Sequence, residues 1–189
     1  MKKKVITIII IAMFPVFSLS ASWKYFYSKD EMTGKVSYYA TSPSVTATKR
    51  MAFPYTGTKG WIGIGCSNNR QWVYFGFSDL NIMGQTIEDG YSITTTRAKT
   101  DSWNNGKTGS IRLTQEFGSR FLHVSEFDEL SGKYGIDMLV NSLSNSSYFL
   151  LELRWFGNGD VYFKFPLKGA SKAIAKMHKQ CGYKSFKKD

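Results

Sequence analysis

Residues 148–182 read YFLLELRWFGNGDVYFKFPLKGASKAIAKMHKQCG and carry the clearest local signals in the chain. Residues 148–155 are an apolar run in which Leu151, Leu153 and Trp155 alternate with Glu152 and Arg154, which is the period of a half-buried strand. Gly157–Asp160 tolerates positive φ and allows a tight reversal. Residues 161–165 return as a second strand, which ends at Pro166 because proline has no N–H for the ladder. This segment therefore predicts a β-hairpin.

The period changes after Gly169, and residues 170–181 predict an amphipathic helix. Small and apolar residues recur every three or four positions and share one face: Ala170, Ala173, Ile174, Met177 and Cys181. Gly182 suits the left-handed conformation that closes a helix. Cys181 is therefore expected to face inward at the end of this helix.

Residues 1–21 have the three parts of a secretory signal peptide. Three lysines precede an apolar run, Val5–Phe17, and small residues follow at Ser18–Ala21 for cleavage. An uncleaved anchor is the alternative, although the run is shorter than the roughly 20 residues that a spanning helix needs. We expect a product exported to the periplasm, with secretion as the alternative. It would comprise one β-rich domain, residues 22–183, and a basic tail, residues 184–189.

Export gives the two cysteines a specific meaning. Oxidising compartments favour disulfides, and pairing Cys66 with Cys181 leaves no odd thiol. The sequence therefore predicts that they are joined. The cross-link would remove roughly 4–5 kcal/mol of unfolded-state entropy on the chain-entropy model.

Most of the remaining chain predicts antiparallel strands. Residues 23–27 and 35–39 form one expected hairpin, and residues 61–66 and 71–77 form another across Ser67–Arg70. Glycines interrupt the second hairpin, which predicts that a large side chain or another backbone crosses close to it: Gly63, Gly65 and Gly76.

Further strands are expected over residues 91–97, 109–116 and 121–124, with a turn at 102–107 and a long irregular loop at 41–57. Helical spacing predicts a short helix near 136–144, with four apolar residues on one face: Ile136, Leu139, Val140 and Leu143. The expected fold is mainly β, of the α+β class. It is a sandwich-like arrangement of antiparallel strands with this helix and a C-terminal amphipathic helix near 170–181.

The chain is strongly basic. The formal net charge is +11, and removal of the three lysines of residues 1–21 leaves +8. This charge favours an acidic partner or an anionic membrane or polysaccharide surface, and a surplus that only aids solubility is the alternative. The densest basic face supplies the candidate partner-binding residues: Lys172, Lys176, Lys179, Lys184, Lys187 and Lys188. Nucleic acid is not expected as a partner, because the aromatic residues alternate along strands as core residues do.

The histidines give little support for catalysis or metal binding. With both cysteines paired, His123 and His178 leave no convincing zinc ligand set, and no cofactor is expected. His178 lies near a helix C-terminus, where the helix dipole favours a basic side chain. His123 precedes Ser125 and Asp128, but no nucleophile-elbow pattern accompanies them.

A carboxylate cluster is the remaining candidate for chemistry. Glu126, Asp128 and Glu129 contain the pair that a glycosidase uses. A solvated acidic loop is the simpler interpretation, because the cluster adjoins the turn-like Ser131–Lys133. The sequence therefore predicts a protein that is not an enzyme, with a cell-wall hydrolase as the third-ranked function.

The order of several motifs resembles a known family. A Trp-containing strand comes early, a strand ends at Cys66 before residues 71–75, Thr96-Arg97 precedes Trp103, and residues 165–183 read FPLKGASKAIAKMHKQCGY. This layout resembles the VasI/TagO type of type VI secretion-associated proteins. In that family a first cysteine closes a strand, and the chain ends with a phenylalanine strand, a glycine, an Ala-Ile helix and a Cys-Gly-aromatic end. The many aromatic residues and the basic tail depart from that pattern, as in a divergent or a phage- or plasmid-borne relative.

The resemblance implies an exported envelope accessory protein that helps to assemble or anchor a contractile secretion apparatus and has no known active site. Two functions are therefore expected. The first is a periplasmic accessory protein that acts by protein–protein contact on an envelope partner. The alternative is a basic envelope binding module, an inhibitor or immunity factor, that recognises an acidic partner or an anionic surface.

Overall fold

The computed structural model describes residues 22–184, in which the chain forms twelve strands and two α-helices. The strands are β1 (Lys24–Lys29), β2 (Val36–Thr41), β3 (Val45–Thr46), β4 (Lys59–Ser67), β5 (Arg70–Phe77), β6 (Thr86–Glu88), β7 (Tyr91–Thr100), β8 (Thr108–Glu116), β9 (Phe121–Phe127), β10 (Leu130–Ser131), β11 (Tyr148–Trp155) and β12 (Gly159–Pro166). The helices are α1 (Gly132–Asn145) and α2 (Ala170–Cys181). The predicted mainly β architecture with two helices is confirmed. The predicted signal peptide, residues 1–21, lies outside the described residues.

All twelve strands belong to one antiparallel sheet. Nine follow the order β1-β2-β4-β5-β9-β8-β7-β11-β12, and β3, β6 and β10 pair beside β4, β7 and β9. The sheet curls round, because β3 pairs with β4 while Ala47, just after β3, bridges Phe163 of β12. The sandwich-like layering thus comes from one curled sheet.

The inner side of the curled sheet holds the core, where strands distant in sheet order meet. Phe75 of β5 stacks on Phe149 of β11 with ring centroids 5.5 Å apart, and Phe77 of β5 contacts Trp155 of β11 at 5.7 Å. All four side chains are fully buried. Removal of these large apolar surfaces from water favours the curled shape.

The two clearest hairpins lie where the sequence predicts them. Asn68 and Asn69 connect β4 to β5 with φ values of 49° and 55°, a conformation in which asparagine is enriched. Gly157 and Gly159 lie at the β11–β12 reversal with φ values of 69° and 68°. The β11–β12 ladder runs from Tyr148 opposite Pro166 to Trp155 opposite Gly159.

Helix α1 begins four residues before its predicted start, at Gly132. The first turn escapes detection because Gly132 and Gly135 lower helix propensity. The four predicted apolar residues are buried, and the helix packs on β9 and β5.

Helix α2 has its predicted bounds and packs on β2, β1 and β4. Gly182 closes it with a φ of 69°. Cys181, its last residue, is half-buried and forms a disulfide with the fully buried Cys66 of β4, with the two Cα atoms 6.0 Å apart. The predicted cross-link is confirmed, and it fastens the C-terminal helix to an early strand.

Other boundaries shift from their predicted places. Strand β7 continues to Thr100 and β9 to Phe127. The predicted turn at 102–107 contains a 3-10 helix, Trp103–Gly106, whose Trp103 ring is buried against Phe127 with centroids 4.5 Å apart.

None of the helices between residues 22 and 184 is long and apolar enough to cross a membrane.

Candidate functional site

The outer side of the sheet carries a band of aromatic side chains across β1, β2, β4, β5 and β9. Residues directly opposite each other in a ladder point to the same side of the sheet. The pairings form three rows: Phe26–Tyr39–Gly65–Trp72, Lys24–Thr41–Gly63–Tyr74–His123 and Trp61–Gly76–Phe121. We call the ring-bearing residues of this set the aromatic face: Phe26, Tyr39, Trp61, Trp72, Tyr74, Phe121 and His123.

Three glycines leave room for three of these rings to lie against the backbone, and we call them the glycine seats: Gly63, Gly65 and Gly76. Each glycine lies opposite an aromatic residue of the neighbouring strand, and the aromatic ring covers its Cα. A Cβ built on each glycine would overlap the ring: Gly63 with Tyr74 Cζ at 2.0 Å, Gly65 with Trp72 Cε2 at 2.2 Å, and Gly76 with Trp61 Cε2 at 2.3 Å. The glycines therefore allow the rings to lie against the backbone. This confirms the prediction that large side chains cross close to these strands.

The rings contact one another within two groups, which lie at neighbouring positions of the strands. Phe26 stacks on Tyr39 with centroids 5.0 Å apart, and Tyr39 meets Trp72 edge-on at 6.0 Å. At the other end Phe121 meets Tyr74 at 5.5 Å and Trp61 at 6.2 Å, both edge-on. The band crosses four interstrand spacings, which is about 19 Å.

The aromatic face is open to solvent and has polar edges. Phe26 is 44% exposed and Phe121 39%. Tyr39, Tyr74 and the two tryptophans are half-buried. Within residues 22–184, neither their hydroxyls nor their indole N–H groups have a hydrogen-bond partner, and all four groups reach solvent. Burial raises the pKa of Tyr74, so its hydroxyl stays protonated and can both donate and accept a hydrogen bond.

Charged groups lie only at the margin of this surface. The outward positions of β1, β2, β4 and β5, together with Phe121 and His123 of β9, contain no carboxylate. The charged residues among them are Lys24, Lys59 and Arg70, and each is the first residue of its strand. The centre of the face is therefore uncharged, the ends of β1, β4 and β5 are basic, and Glu116 of β8 lies near His123 at the β9 side.

A second polar cluster lies on the inner side of the sheet, near the disulfide. The hydroxyl of Tyr183 donates to Asp137 Oδ1 at 2.5 Å, and Gln71 Nε2 donates to the same oxygen at 3.2 Å. His178 Nε2 is hydrogen-bonded to Gln71 Oε1, and its ring stacks on Tyr183 with centroids 5.1 Å apart. These contacts join α1, α2, β5 and the segment after α2.

The ionisation of this cluster follows from its burial. Burial lowers the pKa of His178, with Asp137 opposing the shift, so the imidazole is neutral at pH 7 and donates from Nε2 to the amide oxygen. His178 lies in the last turn of α2, as the sequence predicts, but burial disfavours its charged form there. Burial, followed by the hydrogen bond to Asp137, raises the pKa of Tyr183.

The predicted lysine surface lies on the other side of the sheet from the aromatic face. Lys172, Lys176 and Lys179 are exposed on α2, which packs on the inner side of β1 and β2. Lys176 Nζ lies 4.5 Å from the ring centroid of Tyr25. Lys184 is exposed and is the last described residue, so Lys187 and Lys188 lie outside the described part of the chain. A small ligand on the aromatic face would not reach these lysines.

The residues considered for a triad or a glycosidase pair lie on β9 and in the turn that follows it. Glu126 lies opposite Arg112 on β8, whereas Asp128 and Glu129 form the turn to β10 with φ values of 52° and 65°. The Ser125 hydroxyl donates to the Arg112 carbonyl at 3.1 Å, and the ring of His123 lies on the aromatic face. Among residues 22–184, no group of three His, Cys, Asp or Glu residues is placed to hold a metal ion.

Comparisons of the chain with protein-family models, with curated proteins and with solved structures found no match.

The sequence does not predict the aromatic face, because aromatic residues that alternate along strands are typical of a core. Strand β5 has large aromatic residues on both of its sides, with Phe75 and Phe77 inward and Trp72 and Tyr74 outward. The detectable signal was in β4. In Trp61–Cys66 both isoleucines lie on one side and both glycines on the other. The glycine side has no side chains of its own, which indicates that side chains from a neighbouring strand cover it.

Proposed function

We propose that the protein is a binding module that acts by contact, with the aromatic face as its contact surface. The observation that carries the proposal is the set of glycine seats, which hold Trp61, Trp72 and Tyr74 against the sheet on its solvent side. Large aromatic side chains usually leave solvent, and an exposed cluster of them marks an interaction surface. A rigid sheet fixes their positions, so little side-chain freedom is lost on binding.

We place this role in the cell envelope, as a periplasmic accessory protein of a secretion apparatus that does not act as an enzyme. The support for this location is the signal-like N-terminus, and the support for the accessory role is the resemblance of the motif order to VasI/TagO-type proteins. The titratable side chains near the disulfide have structural partners in one another, which fits a module that binds without chemistry.

The lysine face of α2 supports an alternative contact surface. Lys172, Lys176 and Lys179 are exposed together on one helix, and an anionic membrane, an acidic polysaccharide or an acidic toxin would complement them. Binding at this face would weaken steeply with salt, whereas binding at the uncharged centre of the aromatic face would not. Salt dependence therefore separates the two surfaces.

The test is co-sedimentation of the exported protein with isolated cell envelopes. We expect Trp72→Ala combined with Tyr74→Ala to reduce the bound fraction severalfold, and charge reversal of Lys172, Lys176 and Lys179 to change it little. Phe117→Ala is the matched control, because Phe117 is 99% exposed in a turn outside the aromatic face. The opposite ranking, with the lysine variant released and the aromatic variant retained, would refute the proposal in favour of the basic face.

A further inference from the structure

We propose that the ligand of the aromatic face is an extended, uncharged polysaccharide chain with flat sugar rings, such as a β-1,4-linked chain of gluco-configured sugars. This inference rests on the function proposed above and adds the chemical class of the partner. The chain would lie diagonally across the strands, from Phe26 on β1 to Phe121 on β9.

The shape of the surface is the first reason. The spaces between the rings are filled by glycine, serine and threonine, and no aliphatic side chain occupies an outward position of β1, β2, β4 or β5. The rings of Trp61, Trp72 and Tyr74 lie over backbone and do not project as knobs. A protein partner gains affinity where anchors fill pockets. A flat surface instead matches a ligand that is itself flat, and a sugar chain with equatorial substituents presents such a surface.

The chemistry of the rings is the second reason. A sugar ring has an apolar C–H face and a rim of hydroxyls. The aromatic ring faces would take the C–H face, because the aromatic π face is electronegative and the sugar C–H groups are weakly positive. The unpartnered hydroxyls of Tyr39 and Tyr74 and the indole N–H groups of Trp61 and Trp72 would bond the sugar hydroxyls at the rim.

The charge distribution is the third reason, and it decides against nucleic acid. Single-stranded nucleic acids also stack on aromatic platforms, but they need a cationic groove that follows the phosphates. The centre of the aromatic face has no cation, and Lys24, Lys59 and Arg70 lie at strand starts on its border. The face therefore has no cation to pair with the charges of a polymer that carries one on every unit. An uncharged chain needs no such pairing.

The experiment is titration of the purified exported protein with chitohexaose and with cellohexaose, followed by tryptophan fluorescence and calorimetry. The fluorescence readout is local because Trp61 and Trp72 belong to the face. We expect binding that is nearly independent of salt. Trp72→Ala should weaken it by about 5- to 150-fold, the range found when aromatic platforms for stacked bases lose one ring. Isomaltohexaose, a flexible α-1,6-linked chain, should bind much more weakly than either probe.

Gly65→Ala is the sharper variant, because it removes no aromatic residue. Its Cβ would displace the Trp72 ring from its seat, so we expect sugar affinity to fall severalfold although the composition of the face is unchanged. Phe117→Ala is again the matched control and should bind as the native protein does. Circular dichroism and urea unfolding of each variant would separate loss of binding from loss of fold.

The outcomes are distinguishable. If neither hexasaccharide binds but Trp72→Ala still releases the protein from envelopes, the polysaccharide inference fails and the contact function stands. If single-stranded oligothymidylate binds and the sugars do not, the inference also fails. If the sugars bind Trp72→Ala and Gly65→Ala as tightly as they bind the native protein, the aromatic face is not the sugar site, and the inference is overturned.

Discussion

Reduction of the Cys66–Cys181 disulfide gives a quantitative test of the fold. The two cysteines are 115 residues apart, and the chain-entropy model assigns about 5 kcal/mol of stabilisation to a loop of that length. For a domain of this size, 1 kcal/mol corresponds to about 2–4 °C in Tm, so we expect the reduced protein to melt about 10–20 °C lower. The reduced protein melts at a lower temperature because the cross-link lowers the conformational entropy of the unfolded chain much more than that of the folded chain.

The assay is urea unfolding of the oxidised and the reduced protein, monitored by fluorescence, with the thiol state verified by mass spectrometry. A Cys66→Ala, Cys181→Ala double variant is the control, because reductant should not change its unfolding midpoint. Equal midpoints for the oxidised and fully reduced native protein would refute the reasoning. That result would mean that packing of α2 and the polar cluster alone holds the C-terminus in place.

Three further predictions concern single side chains. Gly65→Ala should destabilise the fold by about 1–3 kcal/mol, the usual cost of overpacking, because its Cβ would overlap the ring of Trp72; urea unfolding would measure this. Below about pH 6.5, stability should decline as the pH falls, because the unfolded His178 binds a proton while the folded side chain, whose pKa burial lowers, resists it. His178→Gln should make a urea-midpoint profile less steep there, and the remaining slope includes His123, whose pKa burial also lowers. Tyr183→Phe should cost about 1.5–3 kcal/mol of unfolding free energy, because it removes the hydroxyl that donates to Asp137.

Matched variants serve as controls for the predictions at Gly65 and Tyr183. Gly57→Ala should be within about 0.5 kcal/mol of the native protein, because a Cβ there meets open space. Tyr27→Phe alters a 66% exposed tyrosine outside the cluster and should be equally silent. An unchanged pH profile in His178→Gln would show that other groups cause the decline, and a neutral Gly65→Ala would show that the Trp72 ring is not confined to its seat.

The local elements followed from the sequence wherever one periodic signal dominated. Residues 170–181 have helical spacing with a glycine after the last turn, and α2 has those bounds. The β11–β12 hairpin was equally clear, because alternation and glycines coincide there. The start of α1 was missed because its first turn contains two glycines and no apolar repeat.

The lysine candidates illustrate the limit of composition. Lys172, Lys176 and Lys179 are exposed as predicted from the helical repeat. Their distance from the aromatic face depends on which side of the sheet α2 covers. That choice is made by contacts between residues more than a hundred positions apart, such as Cys66 with Cys181, and local patterns do not encode it.

Taken alone, the sequence determined the β-rich class, the two helices, the disulfide pair and the need for something large to cross Gly63, Gly65 and Gly76. Only the tertiary structure decided what crosses them and on which side. The reason is that strand alternation separates two sides without stating which is buried, and here both sides of β5 are rich in aromatic residues. Once the curled sheet takes Phe75 and Phe77 into its core, the rings of Trp72 and Tyr74 are left facing solvent.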